Sequence, residues 1–98
     1  MNRMSPRQQI DFALLLLYSG RRQVTTKMIS AFKENGQELT TEELQDIKNI
    51  LELNGYAIFH QEPNTVDYVG LITDKGIEFV KGNSFVKPGT SILQLFES

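Results

Sequence analysis

Tyr56-Ala57-Ile58-Phe59-His60-Gln61, Glu62-Pro63-Asn64-Thr65 and Val66-Asp67-Tyr68-Val69-Gly70-Leu71-Ile72 run consecutively, and their reading decides the fold. The two outer segments are rich in aromatic and β-branched residues, which suit a pleated, half-buried surface. The four residues between them have turn chemistry: Pro63 fixes a φ suited to the second turn position, and Asn64 can hydrogen-bond its own backbone. An antiparallel hairpin with its tip at 62–65 is the expectation.

Upstream of the hairpin the apolar period is helical. Ser5, Pro6 and Gln8 predict a capped first helix: Ser5 accepts from the first turn, Pro6 opens it, and Gln8 closes a reciprocal capping box. Ile10, Ala13, Leu14, Leu17 and Tyr18 recur at helical spacing, and Phe12, Leu15 and Leu16 broaden the apolar face. Gly20 is the expected stop. A weaker helix is expected from Thr26 to Asn35, with Met28, Ile29, Ala31 and Phe32 for the core and Asn35-Gly36 as its end. Thr40 and Glu43 form a second capping box, opening a helix with Leu44, Ile47, Ile50 and Leu51 on its core face and Gly55 at its close. Downstream of the hairpin, Thr73 reads as a cap for a closing helix bearing Ile77 and Val80 and leaving at Gly82-Asn83. Leu14, Leu17, Leu44, Ile47, Leu51, Ile58 and Ile77 are expected to share one core.

Ninety-eight residues suffice for one core and not two, so 1–98 reads as a single α+β domain with its body at about 5–82 and an extension at 84–98. Apolar residues make up 40 % and charged residues 22 %, which excludes a chain too polar to collapse. With no cysteine, disulfides, thiolate nucleophiles and sulfur-ligated metals are excluded. The apolar run from Phe12 to Tyr18 is far short of the roughly 20 residues of a membrane span, and no targeting segment is visible. No membrane association and a cytoplasmic location are the expectations. Net charge is −2, but it is unevenly spread: residues 1–40 carry six basic and three acidic groups, and residues 41–74 one basic and seven acidic.

Two strings carry a family resemblance. Leu51-Glu52-Leu53-Asn54-Gly55-Tyr56-Ala57-Ile58 resembles the passage from third helix to first wing strand in winged-helix domains of the helix-turn-helix class. Leu71-Ile72-Thr73-Asp74-Lys75-Gly76-Ile77-Glu78-Phe79-Val80 resembles their passage from the second wing strand into the closing helix. The likeness spans about Ser5 to Gly82. It implies a three-helix domain, a two-stranded antiparallel wing, a closing fourth helix, and a DNA-associated, regulatory role.

That resemblance implies DNA contacts on the exposed third-helix face and the wing. There Gln45 and Asn49 have the chemistry to pair with an adenine edge, and Lys48 to meet phosphate or guanine. Arg21, Arg22, Lys27 and Lys33, with Arg3 and Arg7, form a further basic set suited to phosphates, and weak, salt-sensitive binding to double-stranded DNA would follow. Glu42, Glu43 and Asp46, in the first turns of the third helix, and Glu62 and Asp67, on the wing, instead suit solvation or a protein partner. The alternative is therefore an interaction or structural winged helix that binds no nucleic acid.

No nucleophile elbow, phosphate-binding loop, metal-binding His pair or dinucleotide fingerprint is present, so no catalytic residue, metal or cofactor is expected. His60, the single histidine, lies in a strand beside Phe59 and reads as hairpin surface. Tyr56, Phe59 and Tyr68 read as cross-strand packing rather than a stacking platform for bases. In the extension, Thr90 or Ser91 can cap a short helix bearing Ile92, Leu93, Leu95 and Phe96. Such a helix needs a surface to cover, and a homodimer interface is the expectation, with packing against the chain's own first helix as the alternative.

Overall fold

The computed structural model describes residues 3–82 and contains four helices and a three-stranded antiparallel sheet. In chain order these are α1 (Pro6–Gly20), β1 (Arg22–Val24), α2 (Thr25–Glu34), α3 (Thr41–Leu53), β2 (Ala57–Gln61), β3 (Tyr68–Ile72) and α4 (Asp74–Lys81). The expected dimer residues Ile92, Leu93, Leu95 and Phe96 lie outside the described residues.

Both capping boxes form. Ser5 Oγ accepts from Gln8 N at 3.2 Å while Gln8 Oε1 accepts from Ser5 N at 2.8 Å. Thr40 Oγ1 accepts from Glu43 N at 3.1 Å, and Glu43 Oε1 accepts from Thr40 N at 3.0 Å. Each box satisfies two amides that the helix itself leaves without partners. At the other end of α1 the expectation shifts by one residue: Gly20 is still helical and Arg21 takes the left-handed cap, with φ of 62°.

The hairpin forms with Ile58 opposite Leu71 and His60 opposite Val69. Its turn is the one the residues favour: Thr65 N donates to Glu62 O at 3.3 Å, and Asn64 supplies the positive φ of 62° at the third position. A third strand was not expected. Arg22, Gln23 and Val24 pair with Leu71, Gly70 and Val69, giving the sheet order β1-β3-β2. Gly70 is central to this arrangement, since a Cβ there would sit 2.6 Å from the Phe59 ring and 3.0 Å from Leu17.

The core lies between one sheet face and the helices. Phe12, Ala13, Leu14, Leu17, Met28, Phe32, Ile47, Leu51, Ala57 and Val80 are almost wholly buried, and Phe12 meets Phe32 edge-on with centroids 4.7 Å apart. Leu14, Leu17, Ile47 and Leu51 sit in the core as expected. Ile58 does not: it faces outward at 46 % exposure because Ala57 and Phe59 occupy the inner positions of β2. Leu44 and Ile77 are half-buried.

The two strings that carry the family resemblance touch each other. Thr73 Oγ1 accepts from Gly76 N at 3.0 Å and donates to Gly55 O at 2.6 Å, and Thr73 N donates to Tyr56 O at 3.0 Å. At Gly76 a Cβ would stand 2.3 Å from Tyr56 O, so only glycine lets α4 approach this closely. Tyr56 then stacks on Phe79 with centroids 4.6 Å apart.

Candidate interaction surface on the third helix

With the Thr40 box fixing where α3 starts, helical geometry fixes which of its side chains face out. Ile47 and Leu51 point into the core, and Glu42, Gln45, Asp46, Asn49 and Glu52 are exposed. Gln45 and Asn49, the expected base-reading pair, are one turn apart on this face, and Gln45 Nε2 donates to Asn49 Oδ1 at 3.4 Å.

Lys48 is placed differently from its expected exposed position. It is only 4 % exposed, and its ammonium lies 3.3 Å from the centroid of the Tyr68 ring and 5.8 Å from that of Phe59. Burial lowers its pKa, and the nearby Glu52 carboxylate acts in the opposite direction. The one basic side chain of α3 therefore ties the helix to β2 and β3 and is withdrawn from the outer face.

The other basic candidates do not share one surface element. The Arg21 guanidinium lies over the Tyr18 ring at 4.5 Å. Arg22 stands on β1 opposite Leu71. Lys27 and Lys33 are exposed on α2, but six residues separate them, which turns them about 120° apart around the helix. Among the described residues none of these four forms an ion pair; the pairs present are Arg3 with Glu43 and Arg7 with Asp11. On the wing, Asp67 Oδ1 accepts from Thr26 Oγ1 at 2.5 Å, so this carboxylate is committed to the start of α2.

Glu43 links α3 to the N-terminal end of α1. Besides its part in the capping box, it accepts from Gln9 Nε2 at 3.2 Å and pairs with Arg3. The Arg3 hydrogen bond, the Thr40 amide and Gln9 hold its pKa at about 2. Asp11 behaves oppositely: burial raises its pKa against the pull of Arg7.

Beside Glu43 a groove of about 270 Å³ opens between α1 and α3, floored by Ile10, Ile47 and Ile50 and edged by Asp46 and Asn49. Ile50, an expected core residue, is 38 % exposed here, and Leu53, one turn further along, is 86 % exposed. The signal was present in the sequence. Leu44, Ile47, Ile50, Leu51 and Leu53 are more apolar positions than one inward face of a 13-residue helix uses.

Comparison with protein-family models, with curated proteins and with solved structures finds no match. Among the described residues no group of three or more His, Asp or Glu is placed to hold a metal ion, and no helix is long and apolar enough to cross a membrane.

Proposed function

We propose that the chain is a winged-helix module that acts without catalysis by docking another protein on the outer face of α3. The order of the helices and the β2–β3 hairpin supports the winged-helix reading, as does the joint made by Thr73 and Gly76 with Gly55 and Tyr56. One observation favours a protein partner over duplex DNA. The outer face of α3 presents Glu42 and Asp46, and the helix's one basic side chain, Lys48, lies on Tyr68 beneath it, where the Glu52 carboxylate also turns to accept from Phe59 N at 3.2 Å. A helix entering a groove lined by phosphates would meet only repulsion from its charged side chains.

A second reading has its own support. Arg21, Arg22, Lys27 and Lys33 are exposed and have no ion-pair partner among the described residues, which suits weak, salt-sensitive contact with duplex phosphates. A duplex-binding titration at two salt concentrations, on the wild type and on the Arg21→Ala/Arg22→Ala double variant, separates the two. Under the protein-docking reading both proteins bind equally poorly. Salt-sensitive binding that disappears in the double variant would establish the second reading and displace the first.

A further inference from the structure

The α1–α3 groove combines an apolar floor with one sign of charge at its rim, and that combination selects a partner. Ile10, Ile47 and Ile50 form the floor, and Leu53 extends the apolar strip along α3 beyond it. Of the two carboxylates at the groove, Glu43 is neutralised by Arg3, whereas Asp46 has no ion-pair partner among the described residues. Glu42, exposed one turn before Asp46, adds to the same side. From Glu43 to Leu53 the strip runs about 15 Å along the helix axis, the length of roughly three turns of a docked helix.

We infer that this groove seats an amphipathic helical segment of a partner protein, with large aliphatic side chains on the face it buries and Lys or Arg beside them. The assignment rests on the protein-docking reading above and names the partner's chemistry. Two other occupants match the floor but not the rim. A second copy related by a twofold axis would bring the same acidic α3 face against itself. The chain's own residues 84–98 are apolar enough, but Lys87 and Glu97 give that segment no net positive charge. A basic amphipathic helix satisfies both features, as helix-in-groove recognition requires.

The test uses the full chain and a synthetic amphipathic peptide of about 18 residues made only of Leu and Lys, with a Leu/Glu peptide of the same pattern as control. Fluorescence anisotropy at low and high salt gives the affinity, and backbone amide chemical shifts give the location. The Leu/Lys peptide is expected to bind, to weaken with added salt, and to shift the amides of Gln9, Ile10, Asn49, Ile50 and Leu53. Asp46→Lys and Ile50→Ser should each weaken it by about tenfold, a typical loss for a groove anchor, and the Leu/Glu peptide should not bind. Both substituted positions are solvent-accessible, and the wild-type shift map locates the site even if a variant fails to fold. Absence of Leu/Lys binding, or binding that both variants leave unchanged, overturns the groove assignment. Shifts confined to the outer sheet face around Ile58 and Leu71 also overturn it while leaving a protein-docking module standing. The duplex titration alone decides whether that broader reading fails.

Discussion

Lys48 shows how one side chain alters the reading of an entire face. In the sequence it lies between core positions of an amphipathic helix and looks like a solvent-facing cation. In the fold its aliphatic stem is buried and its ammonium is held over Tyr68. The exchange is between desolvation, which disfavours the charged form, and the attraction of the aromatic rings, with the Glu52 carboxylate assisting. Lys48→Ala removes both stem packing and ring contact and should cost about 1–3 kcal/mol in urea unfolding, whereas Lys48→Met, which keeps the stem, should stay within about 1 kcal/mol of the wild type. Neither variant should alter duplex affinity. A loss of duplex binding in Lys48→Met with stability intact would restore Lys48 to the outer surface.

Among the elements, those with chemical punctuation were legible and the one without it was not. Ser5 with Gln8 and Thr40 with Glu43 set the starts of α1 and α3, and Pro63-Asn64 set the hairpin turn, because each depends on hydrogen bonds or φ values local to a few residues. The strand Arg22-Gln23-Val24 is too short to show a period of two, and it exists because β3 offers an edge to pair with. Ile58 departs from its expected inward position for a related reason: period-two alternation allows one facing or its opposite, and only the packing of Ala57 and Phe59 chooses. Of the candidate site, the α3 acids and the Gln45–Asn49 pair were legible, while the groove depends on how closely α1 approaches α3, which no local signal encodes.

Glu43 bonds across that joint to Gln9 and Arg3, so the contact between α1 and α3 should respond to pH. Its pKa falls from an ordinary 4.5 to about 2 on folding, so the unfolded chain takes up a proton before the folded one does. The stabilisation is therefore full above about pH 4.5 and is lost as the pH falls from there toward about 2. Glu43→Gln keeps a capping group but no charge. The stability gap between wild type and Glu43→Gln, from urea unfolding across a pH series, should be constant at higher pH and shrink below about 4.5. A gap that stays constant down to pH 3 would show that the carboxylate's charge contributes nothing to the joint.

At the scale of the whole molecule, the described residues share one core. Among the described residues the buried cluster runs from Met4 to Val80, and α4 is anchored by Thr73, by the close approach at Gly76 and by Val80, which is fully buried. A chain ending after Asn83 should therefore unfold cooperatively with a Tm within about 5 °C of the full chain, a change of roughly 1 kcal/mol for a domain of this size. Leu14→Ala and Leu51→Ala should each cost about 2–5 kcal/mol in either length of chain, since both side chains are almost fully buried in the same cluster. Sedimentation equilibrium on the two lengths then isolates the expected role of Ile92, Leu93, Leu95 and Phe96. If these residues make a homodimer interface, the full chain dimerises and the shorter one is a folded monomer. A shorter chain that loses cooperative unfolding would instead mean that the core between Met4 and Val80 needs these residues to hold together, because a core complete in itself stays folded when the rest of the chain is removed.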